Sequence, residues 1–351
     1  MRIRPFSLLA AGAAAGGLLN AASAEEAAAP PADGVKFEGL VDAFYGHRFG
    51  SSQPATDSSF RAYDADNDSF TLNFAKFALD ARKGAAALRF DVGFGHVAEV
   101  NRQLRDRDGT PDEAAKALQQ AYAALDLGKG WQLDAGKFVT WAGSEVIEAK
   151  DNANYSRSYL FTYGPYTHTG ARLTVPVPGP FTLKLAAVNG WDVARAYNQT
   201  STVGATAGWT GAGATTVALT TYQGPEQTKD WRQYYDLVVA HPVTEAVSLN
   251  LNAAVGRQAG KGWHGASVIA NWKASKTCRL AARAEHFDDR EGLRLGTPAV
   301  IDAVTLTSGY AVGNNAELRI EARGDFADRA AFEAGSSRRQ VTGQVAALAW
   351  F

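Results

Sequence analysis

From residue 36 to residue 351 the chain is written almost throughout in a two-residue period, and this limits its fold more than any other feature. Leu88, Phe90, Val92 and Phe94 alternate with Arg89, Asp91, Gly93 and Gly95. Val247, Leu249, Leu251, Ala253 and Val255 alternate with Ser248, Asn250, Asn252 and Gly256, and Leu318, Ile320 and Ala322 with Glu317, Arg319, Glu321 and Arg323. Residues i and i+2 share one face of a strand, so each segment has an oily face and a wet or charged one. The spacing predicts strands at 36–49, 68–82, 85–99, 118–128, 130–141, 166–177, 180–192, 201–211, 213–223, 232–241, 246–257, 262–273, 277–289, 299–311, 315–326 and 338–351. That makes about sixteen segments near the length a tilted strand needs to cross a bilayer.

The connections narrow the choice further. They alternate long and short: 50–67, 100–117 and 142–165 are long, whereas Lys83-Gly84, Lys129 and Pro178-Gly179 are tight. The alternation continues through turns near Ala212, Val243-Thr244, Ala274-Ser275 and Gly313-Asn314. A soluble sandwich has no reason to keep it. The expected class is all-β: a transmembrane antiparallel up-and-down barrel with long extracellular loops and short periplasmic turns. Two stretches resist simple alternation. Phe70 to Leu79 changes phase, which a bulge near Ala75 would repair. Thr110-Pro111-Asp112-Glu113, running into Ala114 to Leu118, has the signature of a capped short helix.

Residues 1–24 form a secretory signal peptide, with basic Arg2 and Arg4, an apolar run from Phe6 to Leu19, and Ala22-Ser23-Ala24 as cleavage site. Residues 25–35 are a periplasmic lead, too short for a plug domain, and 36–351 the barrel. One cysteine, Cys278, excludes internal disulfides. A net charge of -1, without clustered Lys or Arg, gives no nucleic-acid partner. The six histidines lack H-E-x-x-H or zinc spacing and there is no G-x-S-x-G, so no catalytic residue, metal or cofactor is expected. Asp64, Asp66 and Asp68 make half a calcium loop without its glycine and distal glutamate, and read as a solvated first outer loop. Phe351 ends an alternating strand and is expected to close the barrel at the membrane interface.

Gly39–Phe49 (GLVDAFYGHRF), Asn67–Leu79, Leu88–Gly95, Ala135–Phe161 (AGKFVTWAGSEVIEAKDNANYSRSYLF) and Tyr166–Arg172 (YTHTGAR) resemble the OmpL-like outer-membrane β-barrel porins. The resemblance covers nearly the whole mature chain and is most specific from GKF to HTG. It implies an outer-membrane pore for small hydrophilic solutes, and no particular substrate.

Within that fold, 142–165 is expected to fold inward as a constriction loop, presenting Glu145, Glu148, Asp151 and Arg157, with Tyr155, Tyr159, Phe161 and Tyr163 against a wall. Arg89, Asp91, Arg172, Lys184, Arg279, Arg283, Glu317, Arg319 and Arg323 fall on the wet face, so that acids and arginines would face each other across an aqueous gap. The bland alternatives are a loop lying over the top as a lid, and wall charges such as Glu285, Glu317 and Glu321 that pair with their neighbours. The expected partners are the lipid bilayer, small solutes and, through the terminal strand, the barrel-assembly machinery, in a monomer or homotrimer. The rival functions are an outer-membrane hydrolase and a non-conducting structural or adhesive barrel.

Overall fold

The computed structural model describes residues 33–50, 60–101, 117–196, 200–226 and 230–351. It contains sixteen strands: β1 (Gly34–Phe49), β2 (Ser69–Lys83), β3 (Ala86–Phe94), β4 (Leu118–Gly128), β5 (Trp131–Val139), β6 (Thr167–Val175), β7 (Phe181–Val188), β8 (Thr202–Thr210), β9 (Thr216–Pro225), β10 (Trp231–Pro242), β11 (Val247–Gln258), β12 (Lys261–Lys273), β13 (Cys278–Asp289), β14 (Ala299–Ala311), β15 (Ala316–Ala327) and β16 (Arg339–Trp350). Each is antiparallel to its neighbours in sequence, and β1 pairs with β16 to close the barrel. Closure leaves no strand edge unpaired.

The two-residue period sorts side chains as a membrane barrel requires. Leu318 and Ile320 on β15 are exposed, while Glu317, Arg319, Glu321, Arg323 and Asp325 between them are buried. The same inversion holds for Leu88 and Phe90 against Asp91, and for Leu249 and Leu251 against Asn252. Exposed aromatics gather near the strand ends. Phe49, Phe70, Phe94 and Trp231 stand at the loop end, and Trp131, Trp209, Trp272 and Tyr310 at the turn end, where amphipathic rings meet lipid headgroups.

The structure departs from expectation in several places. The third strand stops at Phe94, not residue 99. Gly95 turns the chain at φ +100, where a side chain would strike the Leu72 carbonyl, and α1 (His96–Val100) follows. The bulge in β2 falls at Asn73, which has no partner between the pairs Asp42–Phe74 and Ala43–Leu72. Asn73 and Phe74 therefore both turn inward. β4 has a matching irregularity at Gln119. The long-short alternation breaks at β11–β12, where Ala259 (φ +52) and Gly260 (φ +77) make a two-residue turn at the loop end, and pairing runs to Gln258–Lys261. The first outer loop is buried at one end, while Asp68 stays exposed as expected. Arg61, Ala62, Tyr63 and Asp64 are buried, Arg61 pairs with Asp64 at 3.0 Å, and Tyr63 packs on Phe161 and Tyr166. The expected 110–113 helix cap and the 1–24 signal peptide lie outside the described residues.

Pairing of β1 with β16 continues into Phe351, whose N–H donates to Gly39 O (3.1 Å) and whose carbonyl accepts from Gly39 N (3.2 Å). The Phe351 ring lies over Gly39, where a Cβ would come within 2.0 Å of it. Gly39→Leu should therefore lower unfolding stability by about 1–3 kcal/mol through overpacking, and adding Phe351→Ala should relieve the clash. Heat-modifiable gel migration and urea unfolding in detergent read both effects. Equal stability of Gly39→Leu and wild type would contradict this closure.

Candidate functional site

Residues 140–166 connect β5 to β6 and make hydrogen bonds with inward-facing side chains around the barrel. An irregular segment inside a barrel loses water on most sides, so its backbone groups need partners from the wall. The wall supplies them by charge. Carboxylates take the N–H groups: Glu321 accepts from Tyr155 N (2.6 Å) and Ser156 N (3.0 Å), Glu285 from Tyr159 N (2.8 Å), and Asp236 from Gly143 N (2.8 Å). Guanidinium groups take the carbonyls: Arg319 donates to Ala149 O (2.7 Å), Arg279 to Ala153 O (2.5 Å), Arg283 to Ser156 O (2.7 Å) and Arg323 to Arg157 O (2.7 Å).

Side chains complete the clamp. Tyr155 donates its hydroxyl to Asp42 (2.8 Å) and accepts from Asn73 (2.8 Å), while Tyr159 donates to Asp325 (2.9 Å). Asn154 donates to Thr307 (2.7 Å), and the Trp141 indole to Thr206 (2.6 Å). The two strand irregularities have a purpose here: the inward Asn73 reaches Tyr155, and the inward Gln119 donates to Glu148 (3.0 Å). Ser158 caps α2 (Tyr159–Tyr163) by accepting from Phe161 N. Arg157, expected at the channel surface, is buried and donates to the carbonyls of Val146, Ile147 and Tyr155, which folds the loop onto itself.

This geometry changes the expected facing of acids and arginines. Glu145 is not across a gap from Arg283 but in contact with it, at 2.8 Å, with both side chains buried. Glu148 pairs with Lys76 on β2 at 2.5 Å. Burial pushes the Glu148 carboxyl upward, but the Lys76 charge and the bonds from Lys76 and Gln119 outweigh it and hold the group at about 2. Asp151, paired with Lys150 at 2.8 Å, keeps 27% of its side chain exposed, and burial raises its pKa against the pull of Lys150. The wall cations divide in two. Arg283, Arg319 and Arg323 are covered by the loop, and Arg319 and Arg323 also pair with Glu317 (2.7 Å) and Asp325 (2.8 Å), whereas Arg279, held by Glu317 (2.6 Å), stays as exposed as Arg89 and Arg172. Arg89, Arg172 and Lys184, on β3, β6 and β7, are only partly covered. Arg89 bonds Asp91 and Asp80, and Arg172 bonds Asp134 at 2.5 Å.

Above the loop the barrel mouth is packed with aromatic side chains. Tyr159, Trp191, Tyr222, Tyr234, Trp263, Phe287 and Phe332 form one buried cluster, with His168 stacked on Tyr222 at 4.5 Å. The histidines lack metal-site spacing in the sequence, yet on the outer surface His264 and His286 stand close together with Asp288.

The family model "Putative beta-barrel porin-2, OmpL-like" matches residues 34–351. Among solved structures, OmpF of Salmonella typhi superposes with a TM-score of 0.63 at 10% identity, covering 91% of this chain and 98% of its own. The outer-membrane channel DcaP of Acinetobacter baumannii gives 0.60 at 11%, covering 90% and 97%. An anion-selective porin from Comamonas acidovorans gives 0.58 at 11%, covering 91% and 100%. Such identities speak for the fold alone. No match was found among curated proteins.

Two outcomes are expected of the clamp. Arg283→Leu strands Glu145 in a buried site, while Glu285 keeps Arg323 at 3.1 Å, and should cost about 3–5 kcal/mol, with part recovered by adding Glu145→Gln; denaturant unfolding measures both. A depressed carboxylate stabilises the fold above its unfolded value of 4.5 and loses that contribution as pH falls through about 2. Proteolytic release of the loop should therefore gain its Glu148-dependent part near pH 2. A Glu148 effect centred near pH 4.5 would contradict the Lys76 pairing.

Proposed function

Since the chain belongs to the OmpL-like β-barrel porin family, matched over residues 34–351, we propose that it passes small hydrophilic solutes or ions across the outer membrane by diffusion, filtered beside the 140–166 loop. The observation that carries this is the uneven burial along the loop. The run 152–160 is buried, whereas Lys150 and Asp151 keep about a quarter of their surface. The pathway then runs between residues 143–151 and the wall carrying Arg89, Arg172 and Lys184. Fixed charges at such a narrowing set ion selectivity. Glu145, Arg283, Arg319 and Arg323 hold the loop in place, and Asp151 with the β3, β6 and β7 cations forms the filter. No covalent step is involved. Residues 1–24 serve export, and the terminal strand with Phe351 is offered to the assembly machinery.

Single-channel recording of the refolded protein under a salt gradient is the test. Stable conductance steps are expected. Lys184→Glu should shift the reversal potential toward cations, and Asp151→Asn toward anions, with little change in folding stability. Silence from a well-folded barrel would discard the diffusion pore, and an unchanged reversal potential in both variants would remove these residues from the filter.

A further inference from the structure

The surface that a membrane barrel turns to lipid should be apolar, and charge there is costly near the bilayer midplane and cheap near the interface. On β12–β14 the outward face is apolar at Val268, Val304 and Leu306, which are exposed. Toward the loop end it changes character. His264 stands opposite Asp288, and His286 stands opposite Asp302. His286 and Asp288, two residues apart on β13, share a face. Asp302 is also opposite Phe326, an exposed aromatic near the loop end of β15, which puts the group at the interface level.

One ligand atom from each of His264, His286 and Asp288 lies within 4.8 Å of the others. Asp302 Oδ1 is 2.7 Å from His286 Nδ1, the carboxylate contact that orients metal-ligating histidines. Asp288 is held by the backbone N–H of Arg290 (3.1 Å) and by its guanidinium (3.1 Å). The Arg290 side chain is 67% exposed, so it can swing away. Beside the group opens a hollow of about 630 Å³, lined by Trp231, Arg257, His264, Asp288, Arg290 and Glu291, which gives an ion access.

We propose that His264, His286 and Asp288 form a site for a divalent transition cation of the Zn²⁺ or Cu²⁺ class on the outer rim of the barrel, with Asp302 as positioning residue for His286. Two imidazoles and one carboxylate suit these ions, whereas Mg²⁺ and Ca²⁺ prefer all-oxygen shells. Three protein ligands leave the fourth position to water. Bound there, the ion ties β12 to β13 next to the short Ala259-Gly260 turn.

The experiment uses tag-free, folded, full-length barrel in detergent. Cu²⁺ is titrated under electron paramagnetic resonance, and Zn²⁺ by calorimetry and thermal unfolding. The expected result is one tight ion per chain, nitrogen splitting from two imidazoles, and a rise in unfolding temperature with Zn²⁺. His264→Gln and His286→Gln, both at exposed positions, should each abolish the tight site. Asp302→Asn should weaken it by about 10–100-fold while keeping the nitrogen splitting, and His241→Gln at the turn end should leave it unchanged. Binding that survives in the His264→Gln/His286→Gln double variant, a spectrum without nitrogen splitting, or no tight binding by the wild-type chain would each overturn the proposal.

Discussion

The structure depends on finding partners for an irregular backbone inside a barrel. A strand satisfies its N–H and C=O groups through its neighbours, and a loop at the surface uses water. Residues 152–160 have neither resource, and each buried group left without a partner would cost about 1–3 kcal/mol. The wall answers with full charges: Glu321 and Glu285 for the amides of Tyr155, Ser156 and Tyr159, and Arg319, Arg279, Arg283 and Arg323 for the carbonyls of Ala149, Ala153, Ser156 and Arg157. Neighbouring ion pairs such as Arg323–Asp325 and Arg283–Glu285 balance those charges. A charged residue in the lumen thus acts first as a structural ligand for the loop.

That division organises the channel. Partners for the loop come from β1, β2, β4, β8, β10 and β13–β15, and β3, β6 and β7 carry the partly covered Arg89, Arg172 and Lys184. Bulges at Asn73 and Gln119 belong to the same design, since each turns one extra polar side chain toward the loop. The aromatic cluster around Trp191, Tyr222 and Trp263 stiffens the mouth above it.

Much of this was legible in the sequence, for reasons of period. Alternation of Leu318 and Ile320 with Arg319 and Glu321 can be satisfied only by a wall with one wet face, so strand positions and inward parity follow from it. The turn at Lys129-Gly130 was legible through its tightness, and the long connection between the fifth and sixth strands through its length. What alternation cannot encode is which inward charge meets which. Glu145 and Arg283 are 138 positions apart, and nothing local distinguishes an arginine clamping a carbonyl from one facing water. The same limit hid Asp42, Asn73 and Asp236 as loop partners, and hid the meeting of His264 with His286 across β12 and β13. The helical turn after Gly95 was lost because His96 to Val100 is too short to show a helical period. The first outer loop, with its run of aspartates, reads as solvated until Arg61 is seen to neutralise Asp64.

The central claim is that one run of the loop is sealed against the wall while its neighbour faces the pathway. It is tested most directly by thiol accessibility in a conducting channel, in a Cys278→Ser background. Ala153, packed against Ile269 and Ala281, and Lys150, three residues earlier, are replaced singly by cysteine. A charged methanethiosulfonate reagent should rapidly change the conductance of Lys150→Cys and leave Ala153→Cys unmodified. Equal, rapid modification at both positions would contradict the clamp.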